Sequence, residues 1–174
     1  MKTKVINLYG GPSSGKSTQA SGLFYKMKQQ GFNVELVNEF AKECVWENNV
    51  PMLKDQLWVL AHQHRKLVRL RDKVDYIITD SPVLLSIAYR TVYDGPMYTK
   101  AIDVLAKECY DMYDNLNVFL NRTTEFADDN SRAQDLEHSI HIDNHILKIL
   151  SDIQVPFVRV DVNNETVPRI LRLV

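Results

Sequence analysis

The chain has 174 residues, of which 45% are hydrophobic, and a formal net charge of −1 at pH 7. That supplies one well-packed core with little room for a second domain, and nothing in the bulk electrostatics demands nucleic acid, although a local basic patch fits inside a balanced total. Cys44 and Cys109 lack C-x-x-C spacing, no signal peptide is legible, and no segment approaches the roughly 20 apolar residues of a spanning helix, so a soluble cytoplasmic protein with free thiols, off the membrane, is expected.

Val5 to Tyr9 reads as a buried strand, and Ser17 to Gln30 as a helix closed by Gly31. Asn33 to Asn38 forms a second strand, followed by a short helix from Glu39 to Trp46 and a long amphipathic one from about Leu53 to Arg71. A third strand, Val74 to Asp80, ends on a carboxylate; Leu116 to Leu120 makes a fourth, with helices at Pro82 to Tyr93 and Thr99 to Tyr113 between them. Ser131 to Asp152 is helical, Pro156 to Val160 is a fifth strand, and Thr166 to Leu173 a final short helix. This alternation predicts an α/β protein, a five-stranded, mostly parallel sheet covered by helices on both faces.

Between the first strand and helix stands Gly10-Gly11-Pro12-Ser13-Ser14-Gly15-Lys16-Ser17, which fits G-x-x-x-x-G-K-[ST] at every fixed position. Strand, loop and helix occur in the order that a phosphate-binding loop requires. Gly10 and Gly15 allow tight turns that aim backbone N–H groups at phosphate oxygens, beside the positive end of the helix. Lys16 then reaches the β- and γ-phosphates, and the Ser17 hydroxyl sits on Mg²⁺, which makes ATP with Mg²⁺ the expected ligand.

Other candidates fall at strand ends. Asp80 suits a carboxylate that serves the magnesium shell or the acceptor, or one that caps the helix opening at Ser81-Pro82. Glu39 could accept the proton of an attacking hydroxyl, or merely complement a helix dipole. Trp46 could stack on a base or join the core. Arg122 and Arg132 bracket a polar stretch that reads as a lid near residues 122–132, where either arginine would offset phosphate charge or form a surface ion pair. On the long helix, Gln56 and Gln63 could read a base edge, and Arg65, Arg69 and Arg71 hold phosphate, or all could be solvated. His138, His141 and His145, near Asp143, recur at helical spacing without the H-E-x-x-H core of a zinc site.

With these blocks in view, the chain resembles the P-loop kinases of the thymidylate-kinase and deoxynucleoside-kinase group, in particular the small bacteriophage 5-hydroxymethyluracil DNA kinases. The residues carrying this are Asn7 to Pro12 through Lys16-Ser17-Thr18, then Gly22 to Lys28, Asn33 to Lys42 and Val74 to Ser86. The likeness covers the first half of the chain closely and the second in outline. It implies a P-loop NTPase three-layer sandwich over residues 1–174, with Gly10 to Thr18 and Arg132 binding the triphosphate, and Lys16, Glu39, Asp80 and Arg122 in catalysis. It also implies Mg²⁺ on Ser17 and Asp80, a phage-infected host, and as acceptor a 5-hydroxymethyl pyrimidine of DNA or a pyrimidine nucleotide, with a homodimer left open. Where deoxynucleoside kinases follow the third-strand acidic residue with an arginine, this chain has Ser81-Pro82, which passes that role to Arg90 or a lid arginine. A P-loop ATPase or switch protein is the other class, distinguished by turnover with water alone.

Overall fold

The computed structural model describes residues 2–93, 99–123 and 133–174. In chain order the elements are β1 (Lys4–Tyr9), α1 (Lys16–Gln29), β2 (Val34–Val37), α2 (Phe40–Trp46), a 3₁₀ turn (Val50–Lys54), α3 (Gln56–Val68), β3 (Tyr76–Thr79), α4 (Leu85–Tyr93), α5 (Thr99–Asp111), β4 (Asp114–Asn121), α6 (Ala133–Asp152), β5 (Val158–Asp161) and α7 (Thr166–Leu171). All five strands run parallel in the order β2-β3-β1-β4-β5.

Alternation along the strands divides the core. Val5, Tyr9, Ile77 and Phe119 face α3, α4, α5 and α6, whereas Ile6, Leu8, Ile78, Val118 and Leu120 face α1 and α7. Both faces of the sheet are therefore buried, which is why the strands read as nearly continuous apolar runs. β1 lies at the centre, and the chain moves to β2 and β3 on one side of it before crossing to β4 and β5 on the other. That reversal opens a crevice at the carboxyl ends of the strands, where open parallel sheets hold ligands.

Two predicted boundaries move for local reasons. The helix expected from Leu53 to Arg71 is broken at Asp55, whose carboxylate accepts the Trp58 N–H at 3.1 Å and so caps α3; the residues before it form the 3₁₀ turn. The helix expected from Pro82 opens as α4 only at Leu85, because Leu85, Ser86 and Ile87 donate to the carbonyls three residues back, of Pro82, Val83 and Leu84. In the described residues no helix is long and apolar enough to cross a membrane.

Candidate active site at the strand ends

Because the strands are parallel, every residue immediately following one reaches the same edge of the sheet. The glycine-rich loop leaves β1 there, Glu39 lies just past β2, Asp80 just past β3 and Arg122 just past β4. Gly10 (φ +148°) and Gly15 (φ +82°) adopt backbone angles that disfavour any side chain, and Gly15 turns the loop directly into α1 at Lys16.

The Lys16 ammonium is the focus of the site. Burial holds its pKa below the ordinary lysine value, Glu39, Asp80 and Asp143 act in the opposite sense, and Arg122 adds to the lowering. All four residues expected to act in catalysis thus share one electrostatic neighbourhood. In the structure the ammonium donates to the Gly11 carbonyl at 2.8 Å.

A cleft of about 750 Å³ opens over the loop. Pro12 to Thr18 form one wall, Glu39, Trp46, Leu53 and Gln56 another, and Ser81, Leu85 and Tyr89 a third. Trp46 is 78% exposed and borders this cleft, so of its two expected roles the core is the one the structure removes. Tyr89 carries no sequence signal beyond following Leu85 by one helical turn.

Asp80 is 3% exposed, and its Oδ1 has no hydrogen-bond partner among the described residues. α4 begins only at Leu85, five positions beyond Asp80, so the carboxylate lies too far back to serve as that helix's N-cap. A buried orphan carboxylate oxygen beside Lys16, with the Ser17 hydroxyl on the cleft wall, is a donor set of the hard-oxygen type that Mg²⁺ takes. The site therefore fits the ion.

Arg122 pairs with Asp143 of α6, Nε to Oδ2 at 2.5 Å, and one of its terminal nitrogens donates to the Pro12 carbonyl. Asp143 Oδ1 accepts the Gly11 N–H at 2.5 Å, so that amide is already committed away from a phosphate. In the sequence Asp143 stands out only as a neighbour of three histidines; nothing local marks it as a partner of residues 11 and 122.

Other expectations are corrected. Arg90 is not available to the phosphates: it is buried and grips Asp103 of α5 through both carboxylate oxygens. Gln63 borders the cleft but is a buried tie, its Oε1 accepting the Phe40 N–H at 3.1 Å and its Nε2 donating to the Thr79 hydroxyl at 3.3 Å. His145 meets the Thr91 hydroxyl, and no group of three His, Cys, Asp or Glu able to hold a metal forms among the described residues. Arg132 and most of the expected lid lie outside the described residues.

The model of the AAA domain matches residues 5–166. The chain belongs to the AAA domain family. Solved structures similar to this AAA domain include the NadR protein in complex with NR (TM-score 0.70, 17% identity), with 93% of this chain covering 46% of that one. The NadR protein in complex with NAD and AMP-PNP gives 0.68 and 16%, over 92% and 45%. The chain spans less than half the length of either NadR chain. Thymidylate kinase from Ehrlichia chaffeensis superposes with a TM-score of 0.64 at 17% identity over 98% of both chains. At these identities the likeness is one of fold: a P-loop α/β architecture shared with thymidylate kinase. No curated protein matches the sequence.

Proposed function

We propose that this AAA domain is an ATP-dependent phosphotransferase that moves the γ-phosphate to a hydroxyl of a pyrimidine nucleotide, and specifically to the 5-hydroxymethyl group of 5-hydroxymethyluracil in phage DNA. The observation that carries the reading is the cleft itself. It runs unbroken from the phosphate loop to Glu39, Trp46, Gln56 and Tyr89, and so has one end for the donor's phosphates and another, with an exposed indole, for a planar base. An ATPase needs no second compartment.

In this reading the backbone of the loop and the first turn of α1 cradle the triphosphate, and Lys16 leaves the Gly11 carbonyl for the β- and γ-oxygens. Mg²⁺ held by Ser17 and Asp80 would offset charge on those oxygens. Glu39 takes the proton of the acceptor hydroxyl as its oxygen bonds to the γ-phosphorus, the bond from that phosphorus to the β,γ-bridging oxygen breaks, and ADP leaves. Arg122, bonded to the Pro12 carbonyl of the loop, would bring its guanidinium's charge beside the phosphates as charge develops on them.

A second reading, a free pyrimidine nucleoside or nucleoside monophosphate as acceptor, draws support from the end-to-end superposition on a thymidylate kinase. The test is incubation with γ-labelled ATP and, separately, thymidine nucleotides, 5-hydroxymethyl-dUMP and DNA containing 5-hydroxymethyluracil. Label in the DNA is expected. Label only in a free nucleotide selects the second reading, and ADP release that no acceptor stimulates overturns both.

A further inference from the structure

We propose that Asp143 is a positioning residue for phosphoryl transfer: it holds Arg122 on the rim of the phosphate loop, so that the guanidinium stands beside the donor phosphates before the acceptor attacks. The proposal rests on the phosphotransferase reading and assigns that site a residue outside its motif.

The geometry is a chain of contacts. Lys16 donates to the Gly11 carbonyl, the Gly11 N–H donates to one oxygen of Asp143, Arg122 Nε donates to the other, and Arg122 returns to the loop at the Pro12 carbonyl. Asp143 is 8% exposed, and a buried carboxylate that engages both its oxygens has little freedom to let its partner wander. The reach is set by close packing. A Cβ at Gly11 would lie 2.9 Å from the Ser139 carbonyl and 3.0 Å from Asp143 Oδ1, so α6 rests directly on the loop. An arginine reaching the phosphates from bulk water would have to be ordered during the reaction; one already clasped to the loop is not.

Asp143→Asn separates this role from simple anchoring. The amide oxygen can still accept the Gly11 N–H, while its NH₂ faces the Arg122 donor and repels it. The first measurement follows the Arg122 Nε–H by ¹⁵N NMR, assigned by its loss in Arg122→Gln. Its proton is expected to exchange slowly in the unsubstituted protein and to shift when a β,γ-imido triphosphate binds. Asp143→Asn should remove the slow exchange and Asp143→Glu restore part of it. The second measurement is a cycle on label transfer, in which Asp143→Asn is expected to slow transfer by about 10- to 100-fold with triphosphate affinity within about threefold, and to add nothing to Arg122→Gln.

Undiminished transfer in Asp143→Asn, losses that multiply with those of Arg122→Gln, or unfolding of both Asp143→Asn and Asp143→Glu would each overturn the proposal. Failure of the unsubstituted protein to label any acceptor would defeat the phosphotransferase reading instead, and the Arg122 signal in the presence of the analogue would still decide the clasp.

Discussion

The Lys16 ammonium donates to the Gly11 carbonyl at 2.8 Å, five residues earlier in its own loop. The lysine is thus held by the backbone of the motif to which it belongs, and burial lowers its pKa despite the neighbouring carboxylates.

From this follows a pH dependence. The negative charge of a triphosphate favours the ammonium, so binding takes up a proton wherever the free protein has lost one. Affinity is therefore expected to fall as pH rises through the lowered lysine pKa, before the ordinary lysine range is reached. Calorimetry in two alkaline buffers of different ionisation enthalpy measures the proton uptake. Its absence, with constant affinity up to the usual lysine range, would show that Lys16 keeps its charge throughout.

Gly11→Ala tests the contact between α6 and the loop. The new methyl would meet the Ser139 carbonyl and Asp143, neither of which is the free end of a flexible chain. Overpacking of this kind is expected to cost about 1–3 kcal/mol, read as a lower denaturation midpoint at unchanged slope. Stability equal to that of the parent would mean that α6 moves away freely.

For Asp80→Asn the expectation is a loss of magnesium-dependent turnover with stability little changed. Asn caps a helix about as well as Asp, and Asp80 performs no cap here, since α4 begins five positions beyond it. A magnesium titration of turnover decides it: a curve superimposable on the parent's would remove the carboxylate from the metal site.

Glu39→Gln should separate binding from chemistry. A base acting on the acceptor hydroxyl leaves triphosphate affinity nearly unchanged, while transfer falls by roughly a hundredfold to ten-thousandfold. Affinity by calorimetry and label transfer on one preparation supply both numbers. Parallel loss of the two would place Glu39 in the phosphate or metal shell.

The sequence by itself determined what local chemistry can write. The loop from Gly10 to Ser17 is a contiguous motif, and apolar runs located all five strands. Once the alternation implies a parallel sheet, the residues after those strands must share an edge, which is why Glu39, Asp80 and Arg122 are legible from the strand pattern alone and are found around Lys16. Only the tertiary structure decided which partner each side chain takes. Arg90 and Arg122 are alike as arginines near element ends, yet one closes on Asp103 between two helices and the other on Asp143 beside the loop. Gln63 and Gln56 look equivalent on one helix, but Gln63 ties α2 to β3 from within. Asp143 meets Gly11 across 132 positions, and that meeting depends on α6 packing against a residue without a side chain. Periodicity reports which face of a helix is buried; it carries no information about which distant backbone that face will touch, because the contact is fixed by the packing of the whole sheet and its helices.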